Sequence, residues 1–135
     1  MLRDATQEDY EYIASHSISR GLCGKGPDQI DYIYTLEIDD VIMGIGGFRI
    51  LNLATAYVWI DLSHDAAHHT LTLVKTLKAT MASFVEEHKL RRLESHVSVD
   101  FPEAIRLLQH MGFTRECVIK NYMPDSDAFL YKRCF

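Results

Sequence analysis

The sequence predicts an α+β fold, an α/β sandwich in which a mostly antiparallel mixed sheet carries helices on both faces. Three observations point there. Segments rich in β-branched and aromatic residues come first, at 32–38, 41–50 and 55–62. A long segment with apolar residues at helical spacing follows, up to residue 88. A strand–helix–strand–strand tail closes the chain. Antiparallel neighbours followed by an alternating strand–helix unit imply a sheet with helices packed on it.

Each element has a local reason. Leu2-Arg3 suits a short opening strand. Thr6 and Asp9 make a start signal of the capping-box type, with Asp in place of the usual Glu, and Tyr10, Ile13, Ala14 and Ile18 then recur at helical spacing towards Gly21. Gly21-Leu22-Cys23-Gly24-Lys25-Gly26-Pro27 is loop chemistry. It lacks the Ser or Thr after Lys25, and the preceding strand, that a Walker phosphate loop needs. Tyr32–Ile38 reads as a strand, Asp39-Asp40 as a two-residue turn, and Val41–Ile50 as the returning strand. Gly44, Gly46 and Gly47 inside that strand mark a bulge, or a close approach by another backbone or a ligand. Thr55–Leu62 is the next strand.

The helix that runs from Ala66 or Thr70 to His88 gathers Val74, Leu77, Met81, Phe84 and Val85 on one face. Leu93, Ser95, Val97 and Val99 alternate with their neighbours as a strand does. Asp100 and Glu103 form a capping pair ahead of a helix that buries Ala104, Leu107, Leu108 and Met111, and Gly112 is placed to end it in the left-handed conformation. Two last strands, near 113–122 and 128–135, are joined by the polar turn Met123-Pro124-Asp125-Ser126-Asp127.

A chain of 135 residues, 47% hydrophobic, is expected to form one domain over 1–135 with a core that needs no disulfide or metal. The net charge of -5 argues against a nucleic-acid partner, which demands a dense basic surface. Lys89, Arg91 and Arg92 are too few to change that and read as a solvated turn. Three cysteines, Cys23, Cys117 and Cys134, with no CxxC spacing, argue against a disulfide framework or a zinc site and fit the cytoplasm. No apolar run resembles a signal peptide or reaches the roughly 20 residues of a membrane span, so no membrane partner is expected.

Three stretches, in this order, carry a family likeness: Arg3-Asp4-Ala5-Thr6-Gln7-Glu8-Asp9, Gly44-Ile45-Gly46-Gly47-Phe48, and Ala104-Ile105-Arg106-Leu107-Leu108-Gln109-His110-Met111-Gly112-Phe113. Across nearly its whole length the chain resembles the GNAT (Gcn5-related N-acetyltransferase) superfamily. The resemblance implies an acyl-CoA-dependent N-acetyltransferase, with acetyl-CoA as co-substrate, no metal, and a small-molecule or protein amine as acceptor. It also implies that the last strands can mediate a homodimer. In that family the fourth and fifth strands splay, the pantetheine arm pairs with the exposed backbone, and the pyrophosphate rests on N–H groups at the next helix start. The resemblance thus assigns pantetheine to Trp59, Ile60, Asp61 and Leu62, and the pyrophosphate to the region of His68, His69 and Thr70.

The match has departures. The family's pyrophosphate loop starts on a basic or amide residue and has two small positions. The corresponding window here is Asp65-Ala66-Ala67-His68-His69-Thr70, with an acid at the first position and side chains where glycine is usual. Ser63 or Asp65 also reads simply as a helix N-cap. Leu108 stands where many members carry a proton-donating tyrosine, so Tyr131 or Tyr122 would have to take that role. Phe101 stands where many have Asn. Glu37 and Asp61 are the carboxylates best placed to deprotonate an amine, and each reads equally as a solvent-facing strand residue. His64 and His68 are four apart, a metal-ligand spacing on a helix, but no glutamate completes the motif. Two further readings follow from the departures. One is a GNAT-like binding or structural module without catalysis. The other is an enzyme using another donor.

Overall fold

In the computed structural model, which describes residues 1–16 and 31–135, the start signal at Thr6 and Asp9 forms as a reciprocal capping box. The Asp9 carboxylate accepts the Thr6 N–H at 2.7 Å, and the Thr6 hydroxyl accepts the Asp9 N–H at 3.3 Å. Helix α1 (Gln7–His16) grows from it, behind strand β1 (Leu2–Asp4). The expected continuation through Ile18 to Gly21, and the loop 21–27 with Cys23, lie outside the described residues.

Seven strands enter one mixed sheet. The chain divides into two compact units, Met1–Ile50 with Val58–Thr70, and Leu51–Tyr57 with Leu71–Phe135. In the first, β1 pairs antiparallel with β2 (Asp31–Ile38), and β2 with β3 (Val41–Ile50). The connecting Asp39 and Asp40 have φ of 52° and 63°. Positive φ at both central residues is the mark of a type I′ turn, and aspartate tolerates it well enough to replace the usual glycine. Strand β4 (Thr55–Leu62) contributes Val58–Leu62 to this unit and lies antiparallel to β3, with Gly44 against Asp61 and Gly46 against Trp59. A Cβ on Gly46 would stand 2.8 Å from the Trp59 carbonyl oxygen. Gly44 and Gly46 therefore serve a close approach by the backbone of β4, and Gly47 one by the Tyr32 carbonyl of β2. Tyr10, Ile13 and Ile45 form the unit's buried cluster, with Ile33, Ile42 and Trp59 packed against it.

In the second unit, Thr55–Tyr57 of β4 runs parallel to β5 (Arg92–Ser98). Strand β5 pairs antiparallel with β7 (Ala128–Cys134) from Arg92↔Cys134 to Ser98↔Ala128, and β7 pairs antiparallel with β6 (Thr114–Ile119). Helix α2 (Thr70–His88) buries Leu73, Met81, Phe84 and Val85 on one face, while Val74 and Leu77 are half-buried. Helix α3 (Pro102–His110) starts differently from the expectation. Its N-cap is Phe101, no side chain caps it, and the Asp100 N–H bonds the Ser98 hydroxyl. Pro102 is the reason. Its fixed φ suits the first helical position, which puts the cap on the residue before it and removes Asp100 from the register of a capping pair. The other end matches. Gly112 has a φ of 88°, its N–H bonds the Gln109 carbonyl, and the Phe113 N–H bonds the Leu108 carbonyl. This is a Schellman closure. Among the described residues no helix is long and apolar enough to cross a membrane.

Candidate functional site

Strand β4 changes partners along its length. Its parallel ladder to β5 has three pairs and ends at Tyr57↔Glu94. From Val58 onward, the edge of β4 turned away from β3 has no strand laddered to it among the described residues. Backbone amides on such an edge keep donors and acceptors ready for an extended ligand. The strand's side chains alternate. Trp59 packs on the α1 cluster, and Asp61, two residues on, shares that face with 1% exposure. Ile60 and Leu62 are half-buried on the other face.

Ser63 follows and is buried. Its N–H bonds the Met43 carbonyl at 2.8 Å, and its hydroxyl donates to the carbonyls of Ile42 at 2.9 Å and Met43 at 3.1 Å. Ser63 stands at an N-cap position, yet its hydroxyl is committed to β3 and makes no cap bond. Beyond it, His64–His69 winds into a 3₁₀ helix that runs directly into α2. This is the window aligned with a pyrophosphate loop. The Ala66 N–H closes on the Ser63 carbonyl at 3.2 Å, and the Thr70 hydroxyl donates to the Ala67 carbonyl at 3.2 Å. Asp65 is exposed in the first turn; His68 is exposed and His69 half-buried in the last. Asp65 lies inside the winding, so it is not an N-cap either. With three residues per turn, His64 and His68 point about a third of a turn apart, so they do not share a face. Among the described residues no group of three or more His, Cys, Asp or Glu side chains is placed to hold a metal.

The other expected groups are placed as follows. Glu37 accepts from Arg3 Nη2 at 3.0 Å. Arg3 also grips Asp9 through Nη1 to Oδ2 at 2.6 Å and Nη2 to Oδ1 at 2.8 Å, and the Thr35 hydroxyl donates to Asp9 Oδ2 at 3.0 Å. The hydrogen bonds from Arg3 hold the Asp9 carboxyl far below the usual carboxylate range, against the opposing effect of burial. Glu37 is thus one member of an ion-pair cluster that ties β1, α1 and β2 together. Tyr131, in the second unit, is 3% exposed and pairs with Ser95 and Arg115 across its two ladders. Tyr122 is 49% exposed and Leu108 is buried. Asp61 and the backbone of Trp59–Leu62 are continuous with the His64–Thr70 segment, and these are brought together in the first unit.

Two features escaped the sequence. Arg3, Asp9 and Thr35 form a cluster around the buried Asp9 carboxylate. Its only linear trace was a basic residue on one element and an acid at the third helical position of the next. His96 lies between Tyr57 and Tyr122, with ring centroids 5.1 and 4.5 Å away. Its Nδ1 is buried with no hydrogen-bond partner among the described residues, and desolvation holds its pKa below the ordinary value, opposed by Glu94. In sequence it was simply a polar residue of an alternating strand.

A family model described as the acetyltransferase (GNAT) family matches residues 1–113. No curated protein matches the sequence. Solved structures do match in fold. A point mutant of the spermidine N-acetyltransferase SpeG from Vibrio cholerae aligns with a TM-score of 0.81 at 14% identity, over 99% of this chain and 94% of that one. SpeG from the same organism in complex with manganese ions aligns with a TM-score of 0.74 at 14% identity, over 99% and 91%. Ard1 from Thermoplasma volcanium gives 0.77 at 17% identity, over 99% and 96%.

Proposed function

The chain belongs to the acetyltransferase (GNAT) family, and on that premise we propose that it is an N-acetyltransferase drawing its acetyl group from acetyl-CoA and passing it to an amine, on a small molecule or a protein. The observation that carries the reading is the end of the β4–β5 ladder at Tyr57. It leaves the Trp59–Leu62 backbone as an edge suited to the amides of a pantetheine arm.

The chemistry needs little more. The acceptor must lose a proton before its nitrogen lone pair is available, and a carboxylate is a suitable base, directly or through one water. We assign that role to Asp61, at the far end of the open edge. The nitrogen bonds the acetyl carbon, the carbon–sulfur bond breaks, and the thiolate leaves with the electron pair. A β4 backbone N–H steadies the oxyanion formed on the way. The thiolate is a stable leaving group that can take its proton from water, so no tyrosine is required in this step. Glu37 is engaged by Arg3, and we assign it to holding β1 and α1 in place. Tyr131 lies on β7, laddered to β5 and β6 in the second unit, and we assign it to packing there.

The proposal extends to a homodimer formed through the β6 edge, where every residue from Thr114 to Val118 is exposed, Val118 at 47%. Light scattering after gel filtration tests this, and a monomer at micromolar concentration would refute it. Thiol release from acetyl-CoA, with mass spectrometry of the product, tests the activity. Spermidine and an N-terminal peptide are the first acceptors to try. Transfer to an amine, with kcat reduced about 10²–10⁴-fold in Asp61→Asn, is the expected result. No transfer to any amine would favour the binding-module reading.

A further inference from the structure

The nucleotide end of acyl-CoA is anionic, and a helix start receives such a group through N–H groups free to point at it. Segment 64–70 offers few. Its 3₁₀ winding turns the N–H groups of successive residues back onto carbonyls three residues earlier, as Ala66 does onto Ser63. The Thr70 hydroxyl is already donated to Ala67, and the Ser63 hydroxyl to β3. The N–H groups that such a start leaves over are those of His64 and Asp65. They sit beside the Asp65 carboxylate, which is exposed in the first turn and repels an anion. The acyl-pantetheine arm has opposite needs. It is uncharged, extended and amide-rich, which is what the Val58–Leu62 edge matches.

We infer that this chain grips its donor by the acyl-pantetheine arm along β4 and leaves the nucleotide diphosphate ungripped. The donor class is then acyl-pantetheine thioesters at large, including an acyl group on an arm that carries no nucleotide. The inference rests on the reading above and widens its donor class. The bonds made and broken are unchanged. The amine nitrogen takes the acyl carbon, the pantetheine sulfur leaves as thiolate and takes a proton from water, and the proton lost by the amine passes to Asp61.

Calorimetry on the intact chain tests it with three probes: acetyl-CoA, S-acetyl-pantetheine, and adenosine 3′,5′-bisphosphate. The two thioesters should bind within about tenfold of each other, a difference under about 1.4 kcal/mol, and the bisphosphate should not compete with acetyl-CoA. Acetyl-CoA binding more than tenfold tighter than S-acetyl-pantetheine, or competition by the bisphosphate, would overturn the inference while leaving the acetyltransferase reading intact. Failure of both thioesters to bind would overturn both.

Discussion

Replacing Asp9 by Asn tests how the first unit is held together. The Asp9 carboxylate is nearly fully buried and accepts two bonds from Arg3, one from the Thr6 N–H and one from the Thr35 hydroxyl. Asparagine keeps the shape but turns one oxygen into a donor that must face other donors. Breaking a buried ion pair costs about 3–5 kcal/mol, but Arg3 is 35% exposed and water screens part of its charge. A loss of about 2–3 kcal/mol follows, and for a chain of this length about 10 °C in melting temperature. The pH dependence gives a second check. The carboxyl is held below its ordinary value in the folded state, so between the two values the unfolded chain binds more protons. Its contribution is complete above about pH 4 and is lost as pH falls towards the folded value, by up to ~1.4 kcal/mol per pH unit. Asparagine does not titrate, so the gap between wild type and Asp9→Asn should narrow below about pH 4. Urea unfolding at pH 7 and pH 3 measures both. A loss below about 1 kcal/mol at pH 7, or a gap that is equal at both pH values, would refute the reasoning.

Three further outcomes are expected. Gly46→Ala puts a Cβ 2.8 Å from the Trp59 carbonyl and should cost about 1–3 kcal/mol in urea unfolding, whereas a neutral result would mean that β3 and β4 separate easily. Gly112→Ala should cost about 1–2 kcal/mol, mainly through the strain of a φ of 88°, because the nearest atoms belong to the long Arg133 side chain, which can move. His96 should titrate below the ordinary imidazole value by NMR. Its lowered folded pKa means the unfolded chain binds more protons just below about pH 6.5, so stability should fall as pH drops through that region. His96→Gln should flatten that fall, and an unchanged profile would assign it to other groups.

The sequence carried the elements more fully than the site. Residue type located β3 and β4 at their observed bounds, because β-branched and aromatic side chains favour a pleated, half-buried surface, and period-two burial is written plainly only into β5. Gly112 was legible because few other residues tolerate its backbone angle. The start of α3 was misread because Asp100 and Glu103 have capping spacing, and a local proline outranked them. Segment 64–69 was expected to be a loop or the first turn of a long helix. At its start Ser63 spends its hydroxyl on β3 instead of capping the segment, a contact some twenty residues away in sequence that no local pattern records. Glu37 looked available for the same reason. Its partner Arg3 lies 34 residues earlier and meets it only through the β1–β2 pairing.

The proposed donor grip rests on the open edge of β4. Amide hydrogen exchange, with and without acetyl-CoA, tests it directly. Slower exchange concentrated in Val58–Leu62, with segment 64–70 unchanged, is the predicted result. Protection at 64–70 with none in Val58–Leu62 would contradict it.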